Sequence, residues 1–412
     1  MIRIPRAAAA AAALVAATLL AACDKTPEVV APATPSGGAR FASYVALGNS
    51  ITAGFQSGGI NDSTQQESYA ALLADAMGTR YAYAQISAPG CPPPVTNFQT
   101  QSRGSAGTTV FTSTTCGLRD PASVTPVLNN VAVPNAYVVD PISRTTANSN
   151  ALTTIILGGV SQVAKALQAD PTFASVWFGN NDVLAAGVSG VITPLAGVSP
   201  GVTPAATFAT TFDEVIDSLT AAPRLEGGVL IGVVNVTGAP ILFPAAALAN
   251  PAFKAGFDSF AGRATTVLAN CTGSPSLISF QLAGQIRAGT HPPVISCAKG
   301  AFAPSALVGE LFVLDAAEQT AINAAVTAYN AAISARATAL GWAYYDPNPA
   351  LQALRANGSI PTVPNLGNPT APFGAYISLD GVHPRRPAHV MVANGIVAAI
   401  NAKYQTSLPA VQ

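Results

Sequence analysis

The sequence predicts an α/β protein in which a central, mostly parallel sheet lies between two layers of helices. Short apolar runs alternate along the chain with segments whose apolar residues recur at helical spacing, the order typical of strands joined by helices. The run at residues 229–236 is apolar on both faces, as expected for a strand buried inside a parallel sheet.

The elements of the first half follow in chain order. Asp170 and Pro171 end one helical segment, because proline cannot continue a helix. We predict strands and helices in the order strand, helix, strand, helix, strand at residues 41–48, 68–77, 81–87, 161–168 and 173–178.

The second half begins with a predicted helix at residues 205–221 and a central strand at residues 229–236. Residues 227–249 carry no charge, so a membrane span is the alternative there. Asparagine and two prolines interrupt that run, and we predict a buried strand followed by a helix. One face of the first helix gathers the apolar residues Phe208, Phe212, Val215, Ile216 and Leu219.

The last predicted layer contains a helix at residues 315–339 and a strand at residues 342–345. A final helix at residues 384–403 closes the chain, with Pro384 at its first position. Proline suits that position, because the first N–H of a helix has no partner within the helix.

Composition excludes several classes of partner. The chain has 412 residues, enough to bury a full core, but only 9% of them are charged, against the usual ~25%. The formal net charge is zero, and no basic stripe or acidic tail interrupts the sequence. We therefore expect no nucleic acid or other polyionic partner.

The first 40 residues indicate export and attachment. Residues 1–22 have the form of a signal peptide, with two arginines before an Ala/Leu/Val run. Leu-Ala-Ala-Cys at positions 20–23 resembles the lipobox of bacterial lipoproteins, which implies cleavage before Cys23, lipidation of its thiol and stable anchoring by more than one acyl chain. An Ala-rich helix or an ordinary signal with an incidental cysteine is the alternative. Residues 23–40 then form a predicted flexible tether.

The four other cysteines predict disulfides. An even number of cysteines in an exported protein fits an oxidising compartment, and three connectivities are open. Local pairing would close two loops of similar length, each worth about 3 to 4 kcal/mol. A zinc site is the alternative, but no Cys-x-x-Cys pair occurs and we expect no metal. In order, the locally paired residues are Cys91 with Cys116 and Cys271 with Cys297.

Three polar motifs carry the candidate chemistry. Gly-Asn-Ser at positions 48–50 follows the first predicted strand, and Asn181 follows the third in Gly-Asn-Asn-Asp at positions 179–182. Asp380 stands three residues before His383. A hydroxyl, an imidazole and a carboxylate are the groups of a catalytic triad, in which the histidine takes the serine proton and the acid orients the histidine.

In this order the motifs resemble the blocks of the SGNH (GDSL) hydrolase family: Gly-Asp-Ser, a lone glycine, Gly-x-Asn-Asp and Asp-x-x-His. The resemblance implies a three-layer, flavodoxin-like α/β/α sandwich without metal or organic cofactor. It also implies Ser50 as the nucleophile, His383 as general base and then acid, and Asp380 as the group that orients His383. The backbone N–H groups of Ser50 and Gly90 and the side-chain amide of Asn181 would hold the oxyanion.

One residue departs from the family pattern. Asn49 stands where the family usually has aspartate. Asparagine keeps the size and one acceptor of aspartate but loses its charge, so the electrostatic setting of Ser50 changes while the nucleophile remains. The resemblance covers the sheet and the motif blocks of a single domain at residues 41–412, with insertions at about residues 91–150 and 251–311. The insertions either wall the site or are disulfide-tied surface decoration.

Other motifs are weaker candidates. Ser199 lies in a Gly-x-Ser-x-Gly string, but Pro200 lacks the N–H that the residue after such a serine donates. His291 has no nearby acid in the sequence, and His389 lies inside the predicted last helix. Two arginines in the first turn of that helix are expected on a solvated face, with an acidic substrate group as the alternative; they are Arg385 and Arg386.

The sequence therefore predicts an exported serine esterase or lipase, anchored by lipid to a membrane of the bacterial cell envelope. Its substrates are expected to be carboxylic esters of small molecules or lipids, with acetylated glycans as the second choice. Acyl transfer instead of hydrolysis and an envelope binding lipoprotein without catalysis are the alternatives, and Asn49 is the feature that favours the latter.

Overall fold

The computed structural model describes residues 38–104, 115–120, 127–143, 151–193, 201–298 and 311–412. The predicted signal peptide, Cys23 and most of the tether lie outside these residues, as does Ser199. The first described turn is a short 3-10 helix at Ala39–Phe41.

In chain order, the strands are β1 Tyr44–Gly48, β2 Val95–Asn97, β3 Ser102–Arg103, β4 Phe173–Trp177, β5 Gly227–Ile231, β6 Leu242–Pro244, β7 Thr266–Val267, β8 Leu277–Ser279, β9 Val294–Ile295, β10 Val313–Leu314 and β11 Ala343–Tyr345. The helices are α1 Ser50–Ala53, α2 Asp62–Gln66, α3 Tyr69–Met77, α4 Ala151–Leu157, α5 Gln162–Leu167, α6 Asn181–Ser189, α7 Ala205–Thr220, α8 Pro251–Ala261, α9 Gln281–Ala288, α10 Ala316–Leu340, α11 Asn348–Ala356 and α12 Arg386–Tyr404.

The central sheet is parallel, with strand order β1-β4-β5-β11. Every residue of β1, β4 and β5 is buried. The strand predicted at residues 229–236 is the inner strand β5, although it begins two residues earlier and ends at Ile231. The central, buried position that its apolar run predicted is confirmed.

Side chains alternate between the two faces of this sheet, and helices cover both faces. On one face, Val45 and Val176 pack in a core with α7 and α10. On the other face, Tyr44 and Trp177 pack in a core with α3 and α12. The predicted three-layer α/β/α arrangement is confirmed.

Most predicted helices are present within two residues of their expected bounds. The predicted apolar face of α7 is buried in full, with Phe208 and Phe212 at its centre. The prediction that Pro384 is the first residue of the last helix is wrong. Arg385 is the N-cap of that helix, and Pro387 lies in its first turn. The helix expected after β5 is also wrong, because the proline-containing segment forms only 3-10 turns at Val236–Gly238 and Ala245–Ala249 around β6.

The second strand predicted at residues 81–87 is wrong. The backbone of this segment bonds to other parts of the chain: the Gln65 side chain donates to the Ala84 carbonyl oxygen and accepts from the Ile86 N–H, and the Ser87 N–H donates to the Leu118 carbonyl oxygen. The segment that runs beside β1 comes later in the chain. Asn129 and Val131 form parallel hydrogen bonds with both sides of Ala46, at 2.8 and 3.0 Å. Residues 129–133 therefore run beside β1, within the stretch that the sequence predicts as the first insertion.

Residues of the segment predicted as the second insertion pack in a separate core together with residues from other parts of the chain, such as Phe98 and Phe373. The antiparallel sheet β10-β8-β6 packs with α8 and α9 around clustered phenylalanine rings, including Phe243 and Phe280. Disulfides join Cys91 to Cys116 and Cys271 to Cys297, so the local pairing is confirmed. Within the described part of the chain, no helix is both long enough and apolar enough to cross a membrane.

Candidate active site

Ser50 lies at the carboxyl end of β1, where the strand turns directly into α1. The Asn49 side chain caps this helix by accepting a hydrogen bond from the Ile51 N–H at 3.2 Å. A Cβ at Gly48 would lie 2.1 Å from Thr52 Oγ1, so only glycine permits so tight a turn. The turn places the hydroxyl of Ser50 at the edge of the sheet where ligands bind in open α/β folds.

His383 lies within hydrogen-bond distance of both other groups of the predicted triad. Its Nδ1 is 2.8 Å from Asp380 Oδ2, and its Nε2 is 2.8 Å from Ser50 Oγ. Because a carboxylate can only accept, Nδ1 carries the proton and Nε2 accepts the serine O–H. The structure thus brings together three residues that lie up to 333 positions apart in the sequence.

The Asp380 carboxylate is held by several donors. Besides His383 Nδ1, it accepts from the backbone N–H groups of Val382 and His383, both at 2.9 Å, and from the Ser378 hydroxyl at 3.1 Å. Burial alone would raise the pKa of this carboxyl, but the neighbouring His383 and these N–H donors hold it well below its usual range. Asp380 is therefore a fixed negative charge facing the imidazole.

A tight turn after α1 supplies further contacts to this loop. Gln56 and Gly59 close the turn by exchanging backbone hydrogen bonds at 2.8 and 3.0 Å. Within it, the Ser57 N–H donates to Ser378 Oγ and the Gly58 N–H donates to Asp380 Oδ2, both at 2.8 Å. The turn that follows the serine helix thus holds the aspartate loop directly.

Residues of the predicted first insertion pack against that turn. Arg103 donates to the Gly58 carbonyl oxygen at 2.8 Å and to the Pro93 carbonyl oxygen at 2.6 Å. A Cβ at Gly59 would lie 2.3 Å from the backbone nitrogen of Pro94, so the turn packs tightly against the proline run. Sequence reasoning missed this arrangement, because no local pattern links residues of the turn to Asp380.

Asn181 is the first residue of α6, just beyond the end of β4. Its Nδ2 donates to the Ala136 carbonyl oxygen at 2.8 Å, which fixes the amide and leaves its second N–H available. Asn181 lines the same cavity as Ser50 and His383. The predicted side-chain donor is therefore placed beside the predicted nucleophile.

Gly90 lies elsewhere. It packs against Ile60, just before α2, where an added Cβ would lie 2.4 Å from the Ile60 carbonyl oxygen. Gly90 is not among the residues that line the cavity with Ser50. The segment beside β1 at residues 129–133 leads instead to Asn135, which has a left-handed φ of 69°. The apolar run that ends in Pro134-Asn135 was the sequence signal that could have located this turn.

The remaining sequence candidates lie outside the triad. His389 is buried in α12 and accepts from the Tyr69 N–H; burial, with a contribution from His383, lowers its pKa to about 3. His291 is buried within the predicted second insertion, with Nδ1 2.7 Å from the Pro292 carbonyl oxygen. Arg385 and Arg386 are exposed, and neither lines the cavity.

The cavity beside Ser50 has a volume of about 310 Å³. Its walls come from the loop after β5, from α11 and from the start of α12, and they are mainly apolar. None of the described residues of the two predicted insertions lines this cavity. Across the described ranges, no group of three or more His, Cys, Asp or Glu side chains is placed to hold a metal ion.

Three buried donors border this cavity without an acceptor in the described part of the structure. They are Asn49 Nδ2, Trp177 Nε1 and Asn180 Nδ2. Asn49 is only 1% exposed, so its amide replaces the family's carboxylate in a fully buried position. Position 49 thus holds a neutral amide whose Nδ2 has no acceptor among the described residues.

Comparison with known proteins agrees with this arrangement. The family model for GDSL-like lipase/acylhydrolase matches residues 44–396. Two solved structures are similar, both with a TM-score of 0.36: LAE5, an alpha/beta hydrolase from the metagenome of Lake Arreo, Spain, and an extracellular lipase from Streptomyces rimosus. The first is 14% identical over 89% of this chain and 99% of its own, and the second is 15% identical over 87% and 98%. No curated protein matches the chain.

The family model spans the serine turn, the Asn181 helix start and the Asp380–His383 loop together, along with the sheet that positions them. The chain belongs to the GDSL-like lipase/acylhydrolase family and is an ester-hydrolysing enzyme.

Proposed function

We propose that the protein is a serine carboxylesterase in which Ser50, His383 and Asp380 act as a catalytic triad. One observation carries this proposal: the unbroken chain of 2.8 Å contacts from Ser50 Oγ through the imidazole to Asp380 Oδ2. Such a chain makes the serine a nucleophile, because His383 can accept its proton while the fixed carboxylate stabilises the imidazolium that forms.

The reaction would proceed in two steps. Ser50 Oγ attacks the ester carbonyl carbon as its proton passes to His383 Nε2, and the imidazolium then protonates the leaving alcohol. A water molecule next loses its proton to the same nitrogen and attacks the acyl-enzyme, which releases the acid and restores the Ser50 hydroxyl.

The tetrahedral intermediates need donors for their oxyanion. We propose the backbone N–H of Ser50, the free N–H of the Asn181 amide and the backbone N–H of Asn135 for this role. The position of Asn135 after the segment beside β1, and its left-handed backbone, favour it over Gly90, which packs against Ile60 instead. Each such donor is typically worth ~10²–10³ in turnover.

The size of the cavity favours small acyl groups. Its volume of about 310 Å³ lies at the lower end of the range for small-molecule sites. We therefore propose short-chain carboxylic esters as the first class of substrate and acetyl esters of glycans as the second.

The test is hydrolysis of 4-nitrophenyl esters from acetate to dodecanoate, alongside an acetylated glycan. We expect the highest kcat/KM on the short esters, and a loss of at least ~10⁴-fold in Ser50→Ala and in His383→Ala. Ser407→Ala is the matched control, since this exposed serine has no side-chain hydrogen bond to any described residue. Equal rates in wild type and Ser50→Ala would refute the proposal.

We also propose that the protein is exported and anchored to a membrane of the cell envelope through a lipid on Cys23. The Leu-Ala-Ala-Cys string supports this, and so do two disulfides, which persist mainly in oxidising compartments. Cys23→Ser should move the protein from the membrane fraction to the soluble fraction. Unchanged fractionation of Cys23→Ser would contradict the anchor.

A further inference from the structure

The cavity beside Ser50 contains one permanently charged side chain, that of Arg355. No aspartate or glutamate is among the residues that line this cavity, and His383 is the only other ionisable residue there. The residues that line the cavity with Arg355 and the triad include the apolar side chains Leu184, Val236 and Ile377. Arg355 is therefore the one fixed charge among the residues that line the cavity.

Arg355 projects from α11, on the helix face that borders the cavity. Asn348, Leu351, Gln352 and Arg355 all line it, and their spacing of three to four residues places them on one side of the helix. The loop after β5 also lines the cavity and contributes Gly238. The guanidinium is thus part of the cavity wall and not of a remote surface.

Within the described part of the chain, this guanidinium has a single hydrogen-bond partner. Its Nη1 donates to the Gly238 carbonyl oxygen, and no carboxylate lies within ion-pair distance. A Cβ at Gly238 would lie 2.3 Å from Nη1, so the glycine leaves the room that the guanidinium occupies. Four of its five N–H groups remain free to bind another acceptor.

Other arginines bind either a carboxylate or backbone carbonyl oxygens. Arg224 pairs with Asp170 at 2.7 Å and Arg336 pairs with Asp217, whereas Arg103 donates to carbonyl oxygens as Arg355 does. Arg355 is half-buried, and burial without a compensating anion lowers its pKa. A partly desolvated cation of this kind gains from a bound anion, because charge-assisted hydrogen bonds are the strongest that an arginine forms.

We propose that Arg355 binds a carboxylate carried by the ester substrate, so that the enzyme prefers esters with a negative charge near the scissile bond. This inference rests on the proposed function, since the same cavity must hold the ester at Ser50. The planar guanidinium suits a carboxylate, which it can bind through two parallel hydrogen bonds. The apolar residues that line the cavity accommodate the hydrocarbon spacer of such a substrate.

The carboxylate could belong to the acid or to the alcohol part of the ester, and two matched pairs of substrates distinguish these sources. The first pair is the 4-nitrophenyl monoester of glutaric acid and 4-nitrophenyl pentanoate. The second pair is 4-acetoxybenzoate and its methyl ester. Each pair differs in the charge and keeps the reacting ester almost unchanged.

We expect wild-type enzyme to cleave the charged member of at least one pair with a kcat/KM roughly tenfold higher than the neutral member, mainly through a lower KM. Arg355→Gln should remove this preference, so that the ratio of kcat/KM between the charged and the neutral member falls to about one. Arg355→Lys should retain part of the preference, because it keeps the charge but loses the planar fork. Added salt should narrow the preference in wild type.

Arg224→Gln is the matched control, because it removes an exposed, paired arginine far from the lining residues. Equal kcat/KM on charged and neutral members, in wild type and Arg355→Gln alike, would show that Arg355 only caps the Gly238 carbonyl and would overturn the inference. Absence of hydrolysis on all four esters would instead refute the esterase function itself, and the inference with it. A thermal unfolding curve of Arg355→Gln that matches wild type shows that the fold is intact.

Discussion

Removal of the Ser378 hydroxyl should weaken catalysis without contact with the substrate. Ser378 Oγ donates to Asp380 Oδ1 at 3.1 Å and accepts from the Ser57 N–H at 2.8 Å, so it links the aspartate loop to the turn after α1. A hydrogen bond to a charged group is worth about 1.5–3 kcal/mol. Asp380 keeps its N–H donors from Gly58, Val382 and His383, which places the effect at the lower end.

We therefore expect kcat/KM of Ser378→Ala to fall roughly tenfold, the equivalent of about 1.4 kcal/mol. The loss should appear mainly in kcat, because Ser378 orients the triad through Asp380 and does not line the cavity. The assay is steady-state hydrolysis of 4-nitrophenyl acetate, with urea unfolding measured in parallel. Ser378→Thr keeps the hydroxyl and should recover most of the rate.

Ser407→Ala is again the control, and it should match wild type in rate and stability. The reasoning is refuted if Ser378→Ala retains wild-type kcat, or if its rate falls only in proportion to a loss of folded protein. A recovery in Ser378→Thr would not occur if the serine mattered only for packing.

Four further outcomes are expected. Asn181→Ala should lower kcat by about 10²–10³ while KM changes little, and a normal kcat would exclude its amide from the oxyanion site. Asn49→Asp should remain active with a modestly altered pH profile, because aspartate keeps the size and the acceptor that binds the Ile51 N–H; complete inactivity would show that the serine turn is misread. Burial raises the pKa of Asp182 to about 7, so wild type should lose stability relative to Asp182→Asn as pH rises from about 4 to about 7, by as much as about 4 kcal/mol; a pH-independent difference in unfolding free energy would contradict this. Replacing Cys271 and Cys297 together by alanine should lower the unfolding free energy by about 3 to 4 kcal/mol in urea titrations, whereas an unchanged midpoint would show that the bridge contributes nothing.

The sequence predicts the triad well, because its information is local. Ser50 follows an apolar strand, and Asp380 and His383 are three residues apart, so each motif is visible without knowledge of the fold. Parallel strands then place their carboxyl ends at one edge of the sheet, which brings the motifs together. The buried faces of α7 and β5 are predictable for the same reason, since periodicity reports burial directly.

The second predicted strand is wrong because the apolar run at residues 81–87 has the local pattern of a strand. The side chains of Gln65 and Asn129 bind backbone groups of residues 81–87, and such contacts leave no signal in local periodicity. The true neighbour of β1 at residues 129–133 was hidden inside a polar, proline-rich stretch. The expectation for Gly90 depended on that strand, and Asn135 is the donor that we propose in its place.

Contacts between distant segments explain the other omissions. Ser57 meets Ser378 across 321 positions of sequence, and Arg103 reaches Gly58 from the first insertion. Arg355 belongs to a helix whose sequence resembles any amphipathic surface helix, and its place in the cavity depends on the loop that carries Gly238. Such relations arise only when the chain is folded.

The most direct test of the central claim is covalent labelling of the intact protein with a fluorophosphonate, followed by peptide mass spectrometry. An activated serine should form one stoichiometric adduct, on the peptide that contains Ser50. Labelling should disappear in Ser50→Ala and slow by at least about a hundredfold in His383→Ala. An adduct on another residue, or equal labelling of wild type and both variants, would contradict the triad.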